Sequence, residues 1–208
     1  MSNFKKDLSH EKILAEYLDR IYSHKNMDFL RVDDDSRQHQ GIDLIFNIHS
    51  KEYFIDEKAQ LHYLNADLPT FTFELSYLKD NDLKEGWLFD RQKLTHYYFL
   101  ITGIFLKNGI EHLSHADDIC KIRITSVNRF KLIDHLASIG LHREKLQEYD
   151  EHFRKSSAYG SNKISEFKNS SCGLIYFTEH LAEQPMNIQL RLEYLLENKI
   201  AKVFHTEC

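Results

Sequence analysis

The sequence is poor in the residues that break secondary structure or build cross-links. It has two prolines, seven glycines and three cysteines in 208 residues. The cysteines are odd in number and far apart, so they exclude a disulfide scaffold, form no zinc pattern and suggest a reducing compartment. The few prolines and glycines, beside 42% hydrophobic residues, exclude a disordered chain and predict a single ordered domain over residues 1–208.

Segments that would indicate other protein classes are also missing. No run of 18 apolar residues occurs, so we expect no membrane span. No apolar region follows Lys5 and Lys6, so we expect no signal peptide and a cytoplasmic protein. A glycine-rich phosphate loop and a Gly-x-Ser-x-Gly motif are both absent, which disfavours nucleotide kinases and serine hydrolases.

Two adjoining strand-like runs, residues 41–48 and 52–60, are separated by a connection short enough for a hairpin. Side chains alternate between the faces of a strand. The alternation therefore predicts that four polar side chains share one face of this hairpin: Asp43, Asp56, Lys58 and Gln60.

Two carboxylates and an ammonium group at one point indicate metal-assisted hydrolysis of a phosphodiester. Asp43 and Asp56 would ligate Mg²⁺ or Mn²⁺, because such ions are commonly held by one or two carboxylates together with water and substrate phosphate. Lys58 would orient or deprotonate the attacking water and offset the charge of the transition state. Gln60 would hold the water or a phosphate oxygen by a hydrogen bond.

This pattern resembles the signature of the PD-(D/E)XK nuclease superfamily, an acid followed on the next strand by acid-x-lysine. Here the acid is Asp43, and Asp56-Glu57-Lys58 supplies the second part. The proline that names the family is absent, since Gly41-Ile42 precedes Asp43. The resemblance implies a restriction-endonuclease-like α/β fold, in which helices flank a mixed central sheet. It also implies a magnesium-dependent nuclease acting on nucleic acid, with DNA the first expectation and a homodimer allowed.

Members of the superfamily typically carry a further acid on a helix before the hairpin. Residues 8–24 have an apolar stripe at helical spacing, and Ser9 is a candidate N-cap. Glu11 lies at the border of that stripe and is the better candidate for the third acid, while Glu16 lies roughly opposite the stripe and remains open.

The remaining elements are predicted from periodicity. Residues 70–77 alternate as a strand, and pairing beside the Asp56 strand would bring Glu74 near the metal. Further strands are expected at 95–105 and 119–127, and helices at 128–139, 143–153 and 188–198. These segments predict a nuclease-like core over about residues 8–127 and a mainly helical C-terminal portion over about residues 128–208.

Charge is the main argument against a nucleic-acid enzyme, because the formal net charge is −5. Residues 121–168 nevertheless contain ten basic and six acidic side chains. Within them the segment 154–163 reads as a flexible loop contacting phosphates through Arg154, Lys155, Tyr159 and Lys163. A solvated surface loop without a nucleic-acid role is an equal interpretation.

Two other function classes stay open. Asp-Glu-Lys is a common surface triplet, so the chain could be an α/β protein-interaction domain. It could also be a catalytically inactive nuclease-fold module that binds nucleic acid or serves in assembly. Glu57 falls on the opposite face from Asp56 and Lys58, where a carboxylate needs a partner under any of these interpretations.

Overall fold

The computed structural model describes residues 3–169 and 172–206. The described helices are α1 (Asn3–His24), α2 (Asp35–His39), α3 (Arg129–Ser138), α4 (Arg143–Ser156) and α5 (Leu192–Glu197). The described strands are β1 (Phe29–Arg31), β2 (Leu44–Ile48), β3 (Lys51–Ala59), β4 (Thr70–Lys79), β5 (Asp82–Glu85), β6 (Tyr97–Leu106), β7 (Ile119–Asn128), β8 (Gly160–Asn162), β9 (Gly173–Phe177), β10 (Met186–Arg191) and β11 (Ala201–Thr206). The α/β class predicted from the sequence is confirmed.

The chain forms two compact units, each built from separate stretches of sequence. The first unit comprises Met1–Leu68, Thr95–Ser126 and Lys202–Cys208, and the second comprises Pro69–Leu94 and Val127–Ala201. The predicted core ended at residue 127, next to one of these boundaries. Residues 69–94, which that core included, belong to the second unit.

The first unit contains a six-stranded sheet of order β1-β2-β3-β6-β7-β11. β1, β2 and β3 pair antiparallel, whereas β3 pairs parallel with β6. The sheet is therefore mixed, as predicted. The strand that follows β3 in the chain is β4, but it lies in a different sheet, so the connection between the parallel strands β3 and β6 passes through the second unit.

Helix α1 covers one face of this sheet with an apolar stripe at helical spacing. Its buried members Leu14, Leu18, Ile21 and Tyr22 pack into one core with sheet residues that include Leu44 and Ile55. Burying each such side chain stabilises the fold by about 1.5–3 kcal/mol. The helix begins at Asn3, so Ser9 lies within it and is not its N-cap.

The opposite face of the sheet carries a smaller apolar cluster. Val32, Ile42 and Ile45 are buried there, and Phe54 packs against them. The alternation of β2 and β3 explains the division, because Ile45 and Phe54 are paired in register and point away from the α1 face.

The second unit contains an antiparallel sheet of order β5-β4-β10-β9-β8 together with α3, α4 and α5. The helices predicted at 128–139 and 143–153 are confirmed as α3 and α4. The prediction of a mainly helical C-terminal part is wrong, because β8, β9, β10 and β11 also lie there. The helix predicted at 188–198 begins only at Leu192, since the residues before it alternate buried and half-buried as β10.

Candidate active site

The β2–β3 hairpin brings Asp43 and Asp56 side by side. Leu44 pairs with Ile55, and the backbone N–H of Asp43 donates to the Ile55 carbonyl at 2.9 Å, which places Asp43 opposite Asp56. Leu44 and Ile55 point into the α1 core, so both aspartates face the other side of the sheet. The face predicted for the two aspartates is therefore present.

The backbone at each end of the hairpin accounts for this register. The two turn residues His49 and Ser50 have φ of 49° and 61°, the left-handed pair that a two-residue hairpin connection requires. Gly41 has a φ of 72°, and its carbonyl accepts a hydrogen bond from the buried Thr95 hydroxyl at 2.8 Å. Gly41 thus turns the chain into β2 just before Asp43.

Asp43, Asp56 and Lys58, called the triad below, meet on this face. Lys58 Nζ lies 2.6 Å from Asp56 Oδ1, and the Glu57 backbone N–H donates to Asp43 Oδ2 at 2.8 Å. Burial and then the charge of Asp56 raise the pKa of Asp43 to about 7, although Lys58 and the Glu57 amide oppose the rise. Two carboxylates therefore compete for a single ammonium group.

Access to the triad is uneven. Asp56 is 1% exposed, whereas the Lys58 side chain is 31% exposed. Asp56 Oδ1 is buried and accepts no hydrogen bond from the described residues, so its contact with Lys58 is an ion pair without a directed hydrogen bond. A divalent cation would have to replace the ammonium of Lys58 to bind this oxygen.

The side chain of Glu57 finds its partners on the opposite face. It accepts hydrogen bonds from Tyr22 Oη at 2.6 Å and from Arg31 Nη1 at 2.7 Å. Arg31 also donates to Asp19 through Nε and Nη2, at 2.8 and 2.6 Å to Oδ1. Burial lowers the pKa of Arg31, but the hydrogen bonds and charges of Asp19 and Glu57 outweigh it and raise the pKa overall.

No local pattern in the sequence indicates this network on the α1 face. Arg31 is 26 residues from Glu57 and 12 from Asp19, so only the fold brings them together. His96 was also missed. Its Nδ1 accepts from the Phe54 backbone N–H at 2.9 Å, its ring stacks on that of Phe54, and burial lowers its pKa.

Glu11 does not lie with the triad as expected, and the proposed role of Gln60 stays a prediction. Gln60 follows the end of β3 with ψ of 56°, so strand alternation no longer fixes its side-chain direction, and its N–H donates to the Ile101 carbonyl at 3.0 Å. Glu11 is exposed on α1, which covers the other face of the sheet, and Glu16 is exposed and paired with Arg20. The helix acid connected to the motif strand is Asp19, through Arg31 and Glu57.

The strand that carries Glu74 does not pair with the Asp56 strand, whose neighbours are β2 and β6. Glu74 lies on β4, which pairs with β10 and β5 in the sheet of the second unit. The sequence prediction was wrong because alternation identifies a strand but not its neighbours.

The proposed phosphate-contacting segment is not a single flexible loop. Arg154 and Lys155 belong to the last turn of α4, and residues 160–162 form β8. Arg154 is largely buried, and it donates to Asp150 Oδ1 at 2.6 Å and to Ser76 Oγ at 2.9 Å. The Arg154 guanidinium is therefore bound by protein side chains, and the prediction that it contacts a phosphate is wrong.

The other three residues of the segment remain on the surface. Tyr159 is 37% exposed and stacks one ring face on Phe177, with centroids 4.5 Å apart. Lys155 and Lys163 are exposed. Their proposed contacts with nucleic acid stay predictions.

Comparison of the chain with protein-family models, with curated proteins and with solved structures found no match. Within residues 3–169 and 172–206, no three or more His, Cys, Asp and Glu side chains are grouped so as to hold a metal ion. The predicted metal site has only two carboxylates and so falls below that number. None of the described helices is long and apolar enough to cross a membrane.

Proposed function

We propose that the chain is a magnesium- or manganese-dependent nuclease that hydrolyses phosphodiester bonds in DNA, on a restriction-endonuclease-like core. One observation carries the proposal: two carboxylates from neighbouring strands share one face and a single lysine. Burial, and then repulsion by Asp56, raises the pKa of Asp43 to about 7. A divalent cation would relieve that repulsion, because it supplies the missing positive charge.

The triad fits such an ion chemically. Asp43 and Asp56 would hold it, and the buried Asp56 Oδ1, which accepts no hydrogen bond from the described residues, offers a ligand atom. Magnesium commonly takes one or two protein carboxylates and completes its shell with water and phosphate oxygens. When bound, the ion would lower the pKa of water and polarise the phosphate.

Each residue of the triad then has a distinct role. Asp43 is held by the Glu57 amide, so its carboxylate keeps a fixed position beside Asp56. Lys58 orients the attacking water and offsets the negative charge that develops on the phosphate. Because Asp56 is 1% exposed, the proposal requires Lys58, the more accessible member, to swing away from Oδ1 when the cation and substrate enter.

A second candidate is favoured by the same burial. If Lys58 remains paired with Asp56, the ion pair is structural and the chain is a catalytically inactive nuclease-fold module that binds nucleic acid or serves in assembly. A buried pair of this kind contributes to a defined structure without taking part in chemistry.

Calorimetric titration with Mn²⁺ and assays on plasmid, linear and branched DNA separate the two. We expect Asp56→Ala to abolish metal binding. Lys58→Ala is expected to slow cleavage by about 10²- to 10³-fold while tightening Mn²⁺ binding, because it removes the ammonium that competes for Asp56. Lys51→Ala is the matched control, since Lys51 is exposed on the same strand outside the triad.

The outcomes point to different functions. Salt-dependent DNA binding without cleavage would assign the inactive module. Absence of both metal binding and DNA binding in the wild type would leave a protein-interaction domain. Equal cleavage by wild type and Lys58→Ala would overturn the proposed role of the triad.

A further inference from the structure

A second concave site lies in the first unit, formed by α1, the turn after it and β11. The pocket has a volume of about 320 Å³ and is lined by Tyr17, Arg20, Ile21, His24, Lys25 and His205. Four of these six side chains are basic, and none of the described lining residues is acidic. Such a one-sign lining is unusual in a chain whose net charge is −5.

We propose that this basic pocket binds a phosphate group attached to a flat apolar body, which is the chemistry of a nucleotide. The basic side chains supply donors and positive charge for the phosphate. Ile21 is buried and Tyr17 half-buried, so together they provide an apolar floor. The volume is at the small end of the range for ligand pockets and suits one nucleotide rather than a longer strand.

The charges of the pocket are available to a ligand. Arg20 contacts Glu16 and Asp117, but these three side chains are 51%, 60% and 75% exposed. Ion pairs with that exposure are strongly screened and contribute little to stability, so an incoming phosphate can displace them. The ammonium of Lys25 lies 5.6 Å from the centre of the Phe204 ring, which holds it near the pocket without neutralising it.

The end of α1 is also prepared for an anion. A helix C-terminus normally repels negative charge, because its last carbonyls are unpaired. Here the N–H groups of Lys25, Asn26 and Met27 donate to carbonyls in the last turn at 3.0, 2.9 and 3.0 Å. These bonds occupy the carbonyl oxygens of residues 21, 23 and 22 and reduce the repulsion at the pocket.

The basic pocket is independent of the triad. α1 covers the sheet face opposite to Asp56 and Lys58, so a ligand bound at α1 does not contact them. The inference therefore does not rest on nuclease activity, and its test can run with EDTA present to remove metal from the triad.

The experiment measures binding of adenosine monophosphate, inorganic phosphate and adenosine by calorimetry in EDTA. We expect adenosine monophosphate to bind more tightly than phosphate, and adenosine to bind more weakly than either. Arg20→Gln combined with Lys25→Gln should weaken binding of the monophosphate by at least about tenfold. The control combines Lys12→Gln with Lys51→Gln, which removes the same charge at exposed positions away from the pocket.

Short single-stranded oligonucleotides with and without a 5′ phosphate identify the source of the ligand. Tighter binding of the phosphorylated strand than of the monophosphate assigns a strand terminus, and the reverse order assigns a free nucleotide. The proposal is overturned if the wild type binds neither the monophosphate nor phosphate below about 10 mM. It is equally overturned if the control pair of substitutions weakens binding as much as the pocket pair does.

Discussion

The two faces of β3 carry the same set of charges, but the charges are paired differently on each face. On the α1 face, Asp19 and Glu57 share Arg31, and on the opposite face Asp43 and Asp56 share Lys58. Each face therefore has two carboxylates and one cation. The α1 face differs in its donors, because the guanidinium contacts both acids and the Tyr22 hydroxyl adds a second donor group.

This difference shows how one strand can hold both a structural and a candidate functional cluster. A guanidinium presents five N–H groups in a planar fork and can satisfy two carboxylates at once. An ammonium is a compact charge, and here it lies 2.6 Å from Asp56 while Asp43 receives one backbone N–H. The lysine is therefore ion-paired with one carboxylate of its face, whereas the arginine is ion-paired with both carboxylates of the other face.

The largest expected effect is on the α1 face. Arg31→Met should lower the free energy of unfolding by about 3–5 kcal/mol, because it leaves the largely buried Glu57 and the half-buried Asp19 without their cation. Lys58→Met should cost less, since Asp43 can take up a proton when the ammonium is lost. Urea denaturation of both variants at pH 7 measures the difference, and equal losses would contradict the contrast between the two faces.

The next effect has the opposite sign. Asp43→Asn should stabilise the protein at pH 8 by up to about 4 kcal/mol, because the folded-state pKa is about 7 against an ordinary value of 3.8. The asparagine can still accept from the Glu57 amide. A carboxyl with a raised pKa penalises the folded state fully above pH 7, and the penalty vanishes as the pH falls below about 4.

The matching measurement is urea denaturation of the variant and the wild type between pH 4 and pH 8. The stability gain from Asp43→Asn should grow between pH 4 and pH 7 and then remain constant. Asn47→Asp is the control on β2. Because Asn47 is exposed, exchanging an amide for a carboxylate there should not change stability with pH in this way. A pH-independent difference for Asp43→Asn would show that neither burial nor Asp56 raises the pKa of Asp43 in the folded protein.

A smaller loss is expected for Tyr22→Phe. Burial and then Glu57 raise the pKa of the Tyr22 hydroxyl, so this group donates its proton to Glu57 throughout the neutral range. Removing one hydrogen bond to a charged acceptor should cost about 1.5–3 kcal/mol by thermal or urea unfolding. Tyr53→Phe, a half-buried tyrosine in the same core, is the control and should change stability much less.

The sequence was most informative where the signal is local. The hairpin, α1, α3 and α4 follow from periodicity, and the shared face of Asp43 and Asp56 follows from alternation alone. Prediction from the sequence fails for a physical reason as well. Nothing in the letters around Glu74 shows that β4 pairs with β10, and nothing near Glu57 indicates Arg31, because both depend on contacts between distant segments.

Partial signals also misled in specific ways. Ile188, Leu192, Leu195 and Leu196 have helical spacing, but the first of them is a buried residue of β10. Local composition predicts a phosphate contact for Arg154. Its partners are instead two protein side chains, Asp150 on α4 and Ser76 on β4. Composition of a short segment does not reveal whether a cation is already paired.

The smallest expected effect tests the triad through protons. With a pKa of about 7, Asp43 is mostly protonated at pH 6 and mostly ionised at pH 8. A metal that needs the ionised carboxylate must displace that proton, so Mn²⁺ should bind about tenfold more weakly at pH 6 than at pH 8. Calorimetry at pH 6 in buffers of different ionisation enthalpy should detect release of nearly one proton per ion, falling towards none at pH 8. Asp43→Asn should lose this pH dependence, and its retention would mean that another group, such as a histidine, sets the titration.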